Sequence, residues 1–533
     1  MRPARLQKSI HVLALIIAPF VFPGMACNGS HQPSTRPNFV LILADDMGYS
    51  DIGCYGGEIA TPNLDHLAAN GLRFTQFYNA TRCCPTRAAL LTGLYPHQAG
   101  MGRMVSGLNS HPKPGPYQGY LNDRGVTIAE ILKANGYGTY MSGKWHVGEK
   151  PEHWTRHRGF DRYFGLISGA SSYFEIIKEQ RVRQIVHDDT PWQPPAEGFY
   201  MTDAISDSAA QFLRQHHRRR QNQPFLLYVA YTAPHFPLHA LPEDIAKYQG
   251  KYNAGWEAAR EQRYRRMQEL GLIDARYALS PAPATIPRWD EVEDKSNWTR
   301  RMEVYAAMID RMDQGIGRIL AALKEIGAEE NTLVLFLSDN GASAENVEDR
   351  GLNDPAAPIG ARGSYVTYDE PWANVSNTPF RRYKQWVHEG GIATPLIARW
   401  PRGIKQRGQI TKEIGHVMDF MPTYLDLAGV AYPDSFNGKP ITPLEGKSLA
   451  PIFNGKTGDG HEILFWEHLD NRAARQGKWK LVYAHDVGEW ELYDMEADPS
   501  ETQNLAAQHP ERVAELRQQW EAWAERVGVF AER

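Results

Sequence analysis

A chain of 533 residues is long enough for a large hydrophobic core and two domains. Its 42% hydrophobic and 23% charged content is that of a globular protein, which excludes a disordered chain and a multi-span membrane protein. The net charge of -4 gives no basic field for nucleic acid, so partner choice rests on local residues.

At the N-terminus, Arg2, Arg5 and Lys8 precede an apolar run over residues 10–22 that is too short and one-sided for a spanning helix, and residues 1–27 read as an export signal. Gly24-Met25-Ala26-Cys27 resembles a bacterial lipoprotein cleavage site, with Gly24 where a branched aliphatic is usual. Lipid attachment at Cys27 and plain cleavage nearby both stay open. Either one places the mature protein outside the cytoplasm, in the periplasm or anchored to a membrane by lipid. Residues 28–37, rich in Ser, Pro, Gln and Asn, read as a tether. Cys54, Cys83 and Cys84 remain in the folded part and read as free thiols.

Residues 38–43 form a continuous apolar run that ends at Asp45-Asp46-Met47-Gly48, the pattern of a strand buried on both faces. A helix is expected over 61–69, a strand over 72–78, a helix at 86–91, another at 126–134 and a strand at 137–141. Further buried strands are expected at 224–231, 331–337 and 395–400. A long helix is expected at 301–323, with Val304, Met308, Met312, Ile316, Ile319 and Leu323 on one face. This alternation implies an α/β fold with a large, mostly parallel sheet between helices. Residues 247–298 read as a charged, partly helical insertion, and 347–380 as a long irregular loop of the functional kind. A boundary near 432–447 separates a catalytic domain, 38–445, from a C-terminal subdomain, 446–533. The latter is expected to hold strands at 463–466, 479–483 and 490–493 in a small antiparallel sheet, closed by a helix at 511–526.

Several local patterns carry chemistry. Asp45-Asp46 and Asp339-Asn340 each follow a buried strand, and in an open α/β sheet ligands bind at the carboxyl ends of strands. Three carboxylates and an amide oxygen form a hard site that suits Ca²⁺ or Mg²⁺ over zinc. The alternative is that these residues only end strands and cap helices. Lys144 and His146, two apart after a strand, are either a cation beside a titratable base or a surface lysine beside a hydrogen-bonded histidine. His235, in Ala233-Pro234-His235-Phe236-Pro237, follows another buried strand, where a lone histidine is ordinarily structural. The pair Cys83-Cys84 lacks further ligands at zinc spacing, which leaves a strained vicinal disulfide or burial as small apolar residues.

The order Cys83-Cys84-Pro85-Thr86-Arg87, running on to Leu91-Thr92-Gly93, resembles the signature of the type I sulfatases. The likeness extends over nearly the whole mature chain and is nearest to bacterial arylsulfatases of the alkaline-phosphatase-like superfamily, whose fold it implies. It also implies that a separate maturation enzyme oxidises Cys83 to formylglycine, an aldehyde, with Cys84 in the variable slot and Thr86 in the Ser/Thr-tolerant one. By the same resemblance Asp45, Asp46, Asp339 and Asn340, joined by the modified Cys83, are ligands of a divalent metal, Ca²⁺ ahead of Mg²⁺. Gly143-Lys144-Trp145-His146 matches the element whose Lys and His bind sulfate and contact formylglycine. His235 matches a histidine near the leaving group, and Lys384, in Arg382-Tyr383-Lys384, matches the lysine on the other side of the sulfate ester. Gly390-Gly391-Ile392 follows as in the family, but Ala393 stands where many relatives carry arginine. His97, Arg82, Arg103 and Trp372 are further candidates for substrate contact.

The chemistry so implied starts with a hydroxyl of hydrated formylglycine attacking the sulfur of a sulfate monoester, while the metal, Lys144, Lys384 and Arg87 offset charge. His235 or Lys384 gives a proton to the leaving alcohol or phenol, and His146 takes the proton of the second hydroxyl as sulfate departs by carbon-oxygen cleavage. The substrate is expected to be an aryl sulfate or a sulfated glycan. Two rival readings share the residues: a phosphonate monoester hydrolase or phosphodiesterase of the same superfamily, and a noncatalytic surface protein that binds sulfated ligands. A pure binder has little need of the base, which speaks against the second.

Overall fold

The computed structural model describes Met1, residues 36–179 and residues 182–531. The chain divides into an N-terminal unit, Met1–Pro33, and a second unit, Ser34–Arg533, whose fold is the subject here. The expected export signal beyond Met1, Cys27 and most of the tether lie outside the described residues. No helix among the described residues is long and apolar enough to cross a membrane.

The main sheet contains β1 (Asn38–Ala44), β2 (Leu72–Tyr78), β3 (Gly138–Gly143), β4 (Arg162–Leu166), β5 (Ile185–His187), β6 (Thr190–Trp192), β7 (Phe225–Ala230), β8 (Thr332–Ser338), β9 (Ala393–Arg399) and β10 (Gln409–Thr411). They lie in the order β10-β2-β9-β8-β1-β7-β3-β4-β5-β6, with the two-residue strand Gly415–His416 also pairing with β2. The apolar run after Pro37 becomes β1, and its alternate side chains enter two different cores. Val40, Ile42 and Ala44 belong to one, Phe39, Leu41 and Leu43 to the other. Covering both faces is what lets such a strand be apolar throughout.

The two cores are closed by helices. On one face the long helix Lys295–Glu325 buries Met302, Met308, Met312, Ile316 and Ile319 beside the helix Met201–Arg220. On the other lie the helices Cys83–Thr92, Ile128–Ala134 and Phe420–Ala428. The long helix begins six residues before the expected start because Asp294 caps it, its Oδ1 accepting from the Asn297 backbone N–H at 3.1 Å. Its first turns are polar and carry no apolar stripe, so periodicity alone misses them.

Strands β8, β1, β7, β3 and β4 run parallel, while β9 is antiparallel to both β8 and β2. The segments that leave β1, β2, β3, β7 and β8 therefore meet the segment that enters β9 along one edge of the sheet. At the C-terminus the strands Leu464–His468, Asn471–Gln476, Trp479–Tyr483 and Trp490–Asp494 form an antiparallel sheet. The helix Pro510–Val527 packs on it, Leu516 meeting Leu481 and Leu492. Three of these strands and the helix match the sequence expectation. The fourth, Asn-Arg-Ala-Ala-Arg-Gln, has none of the β-branched or aromatic residues that mark a strand, and pairs because the tight turn at Leu469 and Asp470, both at positive φ, returns the chain beside its neighbour.

At the end of the short strand Gly415–His416, the buried His416 ring accepts at Nδ1 from the Met418 N–H at 3.2 Å and so caps the turn Val417–Asp419. An accepting nitrogen cannot carry a proton, and burial pushes the ring down from 6.5 to about 3. The unfolded chain takes up this proton near its ordinary value, so the contribution to stability is unimpaired above about pH 6.5 and is lost progressively as pH falls below it. The urea midpoint is expected to drop between about pH 7 and about pH 4, and the drop to be shallower in His416→Asn, which keeps an acceptor that does not titrate.

Candidate active site

The turn that ends β1 sets the site. Asp45 donates its backbone N–H to Ala233 O at 3.0 Å, and Asp46 bends the chain with φ of 65° while its N–H reaches Asp339 Oδ1 at 3.3 Å. Behind them Asp51 locks the turn, its Oδ2 accepting from Gly48 N and Tyr305 Oη, both at 2.7 Å. Arg263, carried by the helix Gly255–Glu269 of the charged insertion, reaches Asp51 Oδ1 at 2.6 Å. Gly48 is required by space, since a Cβ there would sit 2.4 Å from Ser376 O.

Asp45, Asp46, Asp339 and Asn340 are all buried, and each carboxylate has a cation at hydrogen-bonding distance, Asp45 having Arg87 at 3.8 Å as well. Lys144, one residue past β3, places Nζ 2.6 Å from Asp45 Oδ2. Lys384 places Nζ 2.8 Å from Asp46 Oδ2. Arg87, on the helix that starts at Cys83, grips Asp339 Oδ2 with Nε at 3.1 Å and a terminal nitrogen at 2.7 Å, and its other terminal nitrogen donates to Lys144 O at 2.8 Å. Burial works against ionisation of Asp46, but Lys384 and His235 outweigh it and hold the carboxyl below its ordinary range. Burial of Asp45 prevails over Lys144 and holds that carboxyl above its ordinary range.

Cys83 is the first residue of its helix, with the Arg82 backbone extended before it, so the sulfur lies where helix N–H groups favour negative charge. Cys83 and Cys84 are free and buried, which settles the disulfide alternative. A hydrogen bond with the Cys84 thiol, opposed by burial and helped by Lys144 and Lys384, brings the Cys83 thiol from 9.0 down to about 6. One ring nitrogen of His146 and both sulfurs lie within 4.8 Å of one another. His146 sits at φ of 58°, held by its N–H to Ile167 O at 3.1 Å, and a Cβ on Gly169 would come 2.4 Å from its Nε2. Lys144 and His146 therefore turn to one centre through a backbone kink that an extended spacing rule does not describe.

His235 is buried with Nε2 at 3.5 Å from Asp46 Oδ2 and Nδ1 at 2.7 Å from Phe236 O. A carbonyl can only accept, so Nδ1 carries the hydrogen in the neutral ring and Nε2 is the atom left for chemistry. Burial pushes this ring down to about 3.

Every residue expected to bind metal or act on sulfate thus converges on one edge of the sheet. The weaker candidates fare differently. His97 is buried, its Nε2 at 2.9 Å from Glu467 on the C-terminal sheet, and Trp372 is packed among Tyr252, Trp256 and Trp289 with its Nε1 donating to Trp298 O at 2.9 Å. Both belong to the packing. Arg82 bonds Glu345 at 3.0 Å, and Glu345 in turn lies 2.8 Å from Lys384 Nζ. Sequence reasoning passed over Glu345; its signal was only its place five residues after Asn340. Around the loop that ends at Ala393, Asn377 Nδ2 donates to Arg382 O at 3.0 Å and to Gly390 O at 2.8 Å.

The donors suit a hard divalent cation. Among the described residues, Asp45 Oδ1 and Asn340 Oδ1 are buried oxygens with no hydrogen-bond partner, beside the carboxylates of Asp46 and Asp339. A sheet edge that gathers oxygen donors, three cations and a sulfur-bearing helix start defines a hydrolase of oxyanion esters. Residues 37–430 match the Sulfatase family, and the chain belongs to it; residues 381–526 match the C-terminal region of N-sulphoglucosamine sulphohydrolase. The chain is 37% identical to an uncharacterized sulfatase of Schizosaccharomyces pombe over 93% of this chain and 95% of the other. It is 36% identical to the arylsulfatase of Klebsiella aerogenes over 80% of this chain and 94% of the other. Among solved structures, Ps i-CgsB superposes with a TM-score of 0.69 at 26% identity, covering 92% of this chain and 93% of that one. The protein is a sulfuric ester hydrolase with the mixed sheet and small C-terminal sheet of these relatives.

Arg87→Met would leave Asp339 Oδ2 buried without its donors. The metal-free variant is expected to lose about 3–5 kcal/mol of stability, read as a lower urea midpoint.

Proposed function

We propose that this sulfatase works through formylglycine made from Cys83 and through Ca²⁺ held by Asp45, Asp46, Asp339 and Asn340 with residue 83. The observation that carries the reading is the pair of ammonium groups, Lys144 Nζ at 2.6 Å from Asp45 and Lys384 Nζ at 2.8 Å from Asp46, on one oxygen-donor set. When present, the aldehyde hydrate supplies the attacking hydroxyl and the divalent ion neutralises charge on the bound sulfate.

The chain's own residues supply the rest. Lys144 and Lys384, both buried, balance the nonbridging sulfate oxygens from two sides. Arg87 bonds Asp339 Oδ2 and, through Lys144 O, fixes the Lys144 backbone. On the leaving-group side, Lys384 Nζ and His235 Nε2 both lie at Asp46 Oδ2; Lys384 holds the protons that can pass to the departing oxygen, and Nε2 of the neutral His235 ring accepts, giving a proton only when the ring is charged. Glu345 gives Lys384 a second counter-charge, which favours the charged ammonium in the resting site. The ring of His146, within 4.8 Å of the residue 83 sulfur, takes the proton released there.

An aryl sulfate is the laboratory substrate, which the Klebsiella arylsulfatase supports. A sulfated glycan is the natural class, supported by Ps i-CgsB having been crystallised with k-i-k-neocarrahexaose. The basic start and apolar run of residues 1–27 support export, with a lipid on Cys27 as the anchor and a formylglycine-generating enzyme as the maturation partner.

After co-expression with such an enzyme, the peptide across Cys83-Cys84 is expected to show by mass spectrometry the loss that marks thiol-to-aldehyde conversion at Cys83. Cys83→Ala is expected to abolish sulfate release, and His235→Ala to lower kcat by roughly 10²–10⁴-fold. Faster turnover of an aryl phosphonate or phosphodiester than of the aryl sulfate would overturn the assignment in favour of the phosphorus chemistry. Stripping the protein with EGTA is expected to abolish turnover, and Ca²⁺ to restore it better than Mg²⁺; recovery with Mg²⁺ alone would reject calcium.

A further inference from the structure

Lys384 sits on a segment with little regular structure of its own. It lies between the turn at Asn377 and the short helix Glu389–Ile392, yet its ammonium must stay at Asp46. The residues around it are gripped in turn by the C-terminal sheet and its connections. Arg381 donates to Tyr493 Oη at 2.9 Å and to Glu501 O at 3.0 Å, and Arg382 pairs with Asp486 at 3.0 Å. Gln385 O accepts from Asn471 Nδ2 at 3.2 Å, and the Trp386 ring stacks on His485 at 5.0 Å. His388 Nε2 meets Glu491 at 2.8 Å.

The deepest contact is a three-membered ionic cluster. Lys480 Nζ, fully buried on the strand Trp479–Tyr483, lies 2.6 Å from Glu389 Oε1 and 2.7 Å from Glu501 Oε1. Glu501 Oε2 also accepts from the Glu389 backbone N–H at 2.7 Å, and Tyr78 Oη donates to Glu389 Oε2 at 3.1 Å. One ammonium serves two buried carboxylates, so removing it leaves both without their cation. The far side of the same segment backs onto the oxygen donors. Gly341 N, next to Asn340, donates to Gly391 O at 3.1 Å, and Lys384 N donates to Ala342 O at 3.1 Å. There is no slack between them, since a Cβ on Gly341 would lie 1.8 Å from Gly390 O.

We propose that the C-terminal sheet is a positioning device for the known reaction, with Lys480, through Glu389 and Glu501, setting where Lys384 meets the sulfate ester. Lys480 touches no reacting atom and acts only through the segment 381–391. The inference rests on the role given to Lys384 above, and it adds that this role depends on a residue about a hundred positions later in the chain. Displacement of a catalytic group by about 1 Å costs up to about 100-fold in rate, which is the scale at stake.

The test is a double-mutant cycle on the metal-loaded, matured enzyme with 4-nitrophenyl sulfate as the probe. Lys480→Met removes the charge and keeps most of the volume. It is expected to lower kcat/KM about 10–100-fold with Cys83 conversion and metal content unchanged. In a Lys384→Ala background the same substitution is expected to cost less than about 2-fold, because the group it positions is gone. Glu491→Gln, which loosens the grip on His388 at the edge of the sheet, is expected to show the same non-additivity and serves where Lys480→Met does not fold. Full multiplication of the two losses, or wild-type kcat/KM in a folded Lys480→Met, overturns the proposal. Loss of all sulfate-ester turnover in the matured wild type would instead defeat the proposed role of Lys384, and this inference with it.

Discussion

Three buried carboxylates packed side by side cannot stay ionised without matching positive charge, and this constraint organises the molecule. Removing a carboxylate from water costs several kcal/mol even after relaxation, so each must meet a cation at hydrogen-bonding distance or neutralise. Here the cations come from three distant places: Arg87 after β2, Lys144 after β3 and Lys384 before β9. No local segment could assemble that set. The sheet order does so, because β1, β2, β3, β7 and β8 end and β9 begins along the same edge.

The surrounding layers keep the charges in register. Asp51, held by Arg263 and Tyr305, stiffens the turn that presents Asp45 and Asp46. The charged insertion delivers that arginine into the core. On the opposite side Asn377 ties the backbone of residues 382 and 390 together. Such secondary contacts hold the residues that touch substrate within the narrow tolerance that catalysis needs.

Much of the fold was legible because its strands obey simple rules. Residues 39–43, 333–337 and 396–398 are apolar runs, and each lies in a central strand covered on both faces. Elements stabilised by partners rather than by their own pattern were not legible. The strand Asn471–Gln476 is set by cross-strand pairing and a turn, and the opening of the helix Lys295–Glu325 by an aspartate cap. His97 and Trp372 were candidates for substrate contact because the first follows the motif closely and the second lies on the long irregular loop. Their burial against Glu467 and Trp256 follows from packing that no spacing reveals.

The sequence by itself determined the chemistry available: a cysteine-proline-arginine signature, two acidic pairs at strand ends, a Lys-Trp-His element and a later lysine, all of which name a sulfatase. It could do so because those residues act within short stretches whose order is visible in one dimension. Which cation faces which carboxylate, the presence of Glu345 behind Lys384, and the hold of Lys480 on the segment that carries it were decided only by the tertiary structure. Those contacts join residues separated by tens to hundreds of positions, and charge neutralisation in a buried site selects partners by distance in space, which the order of residues does not encode.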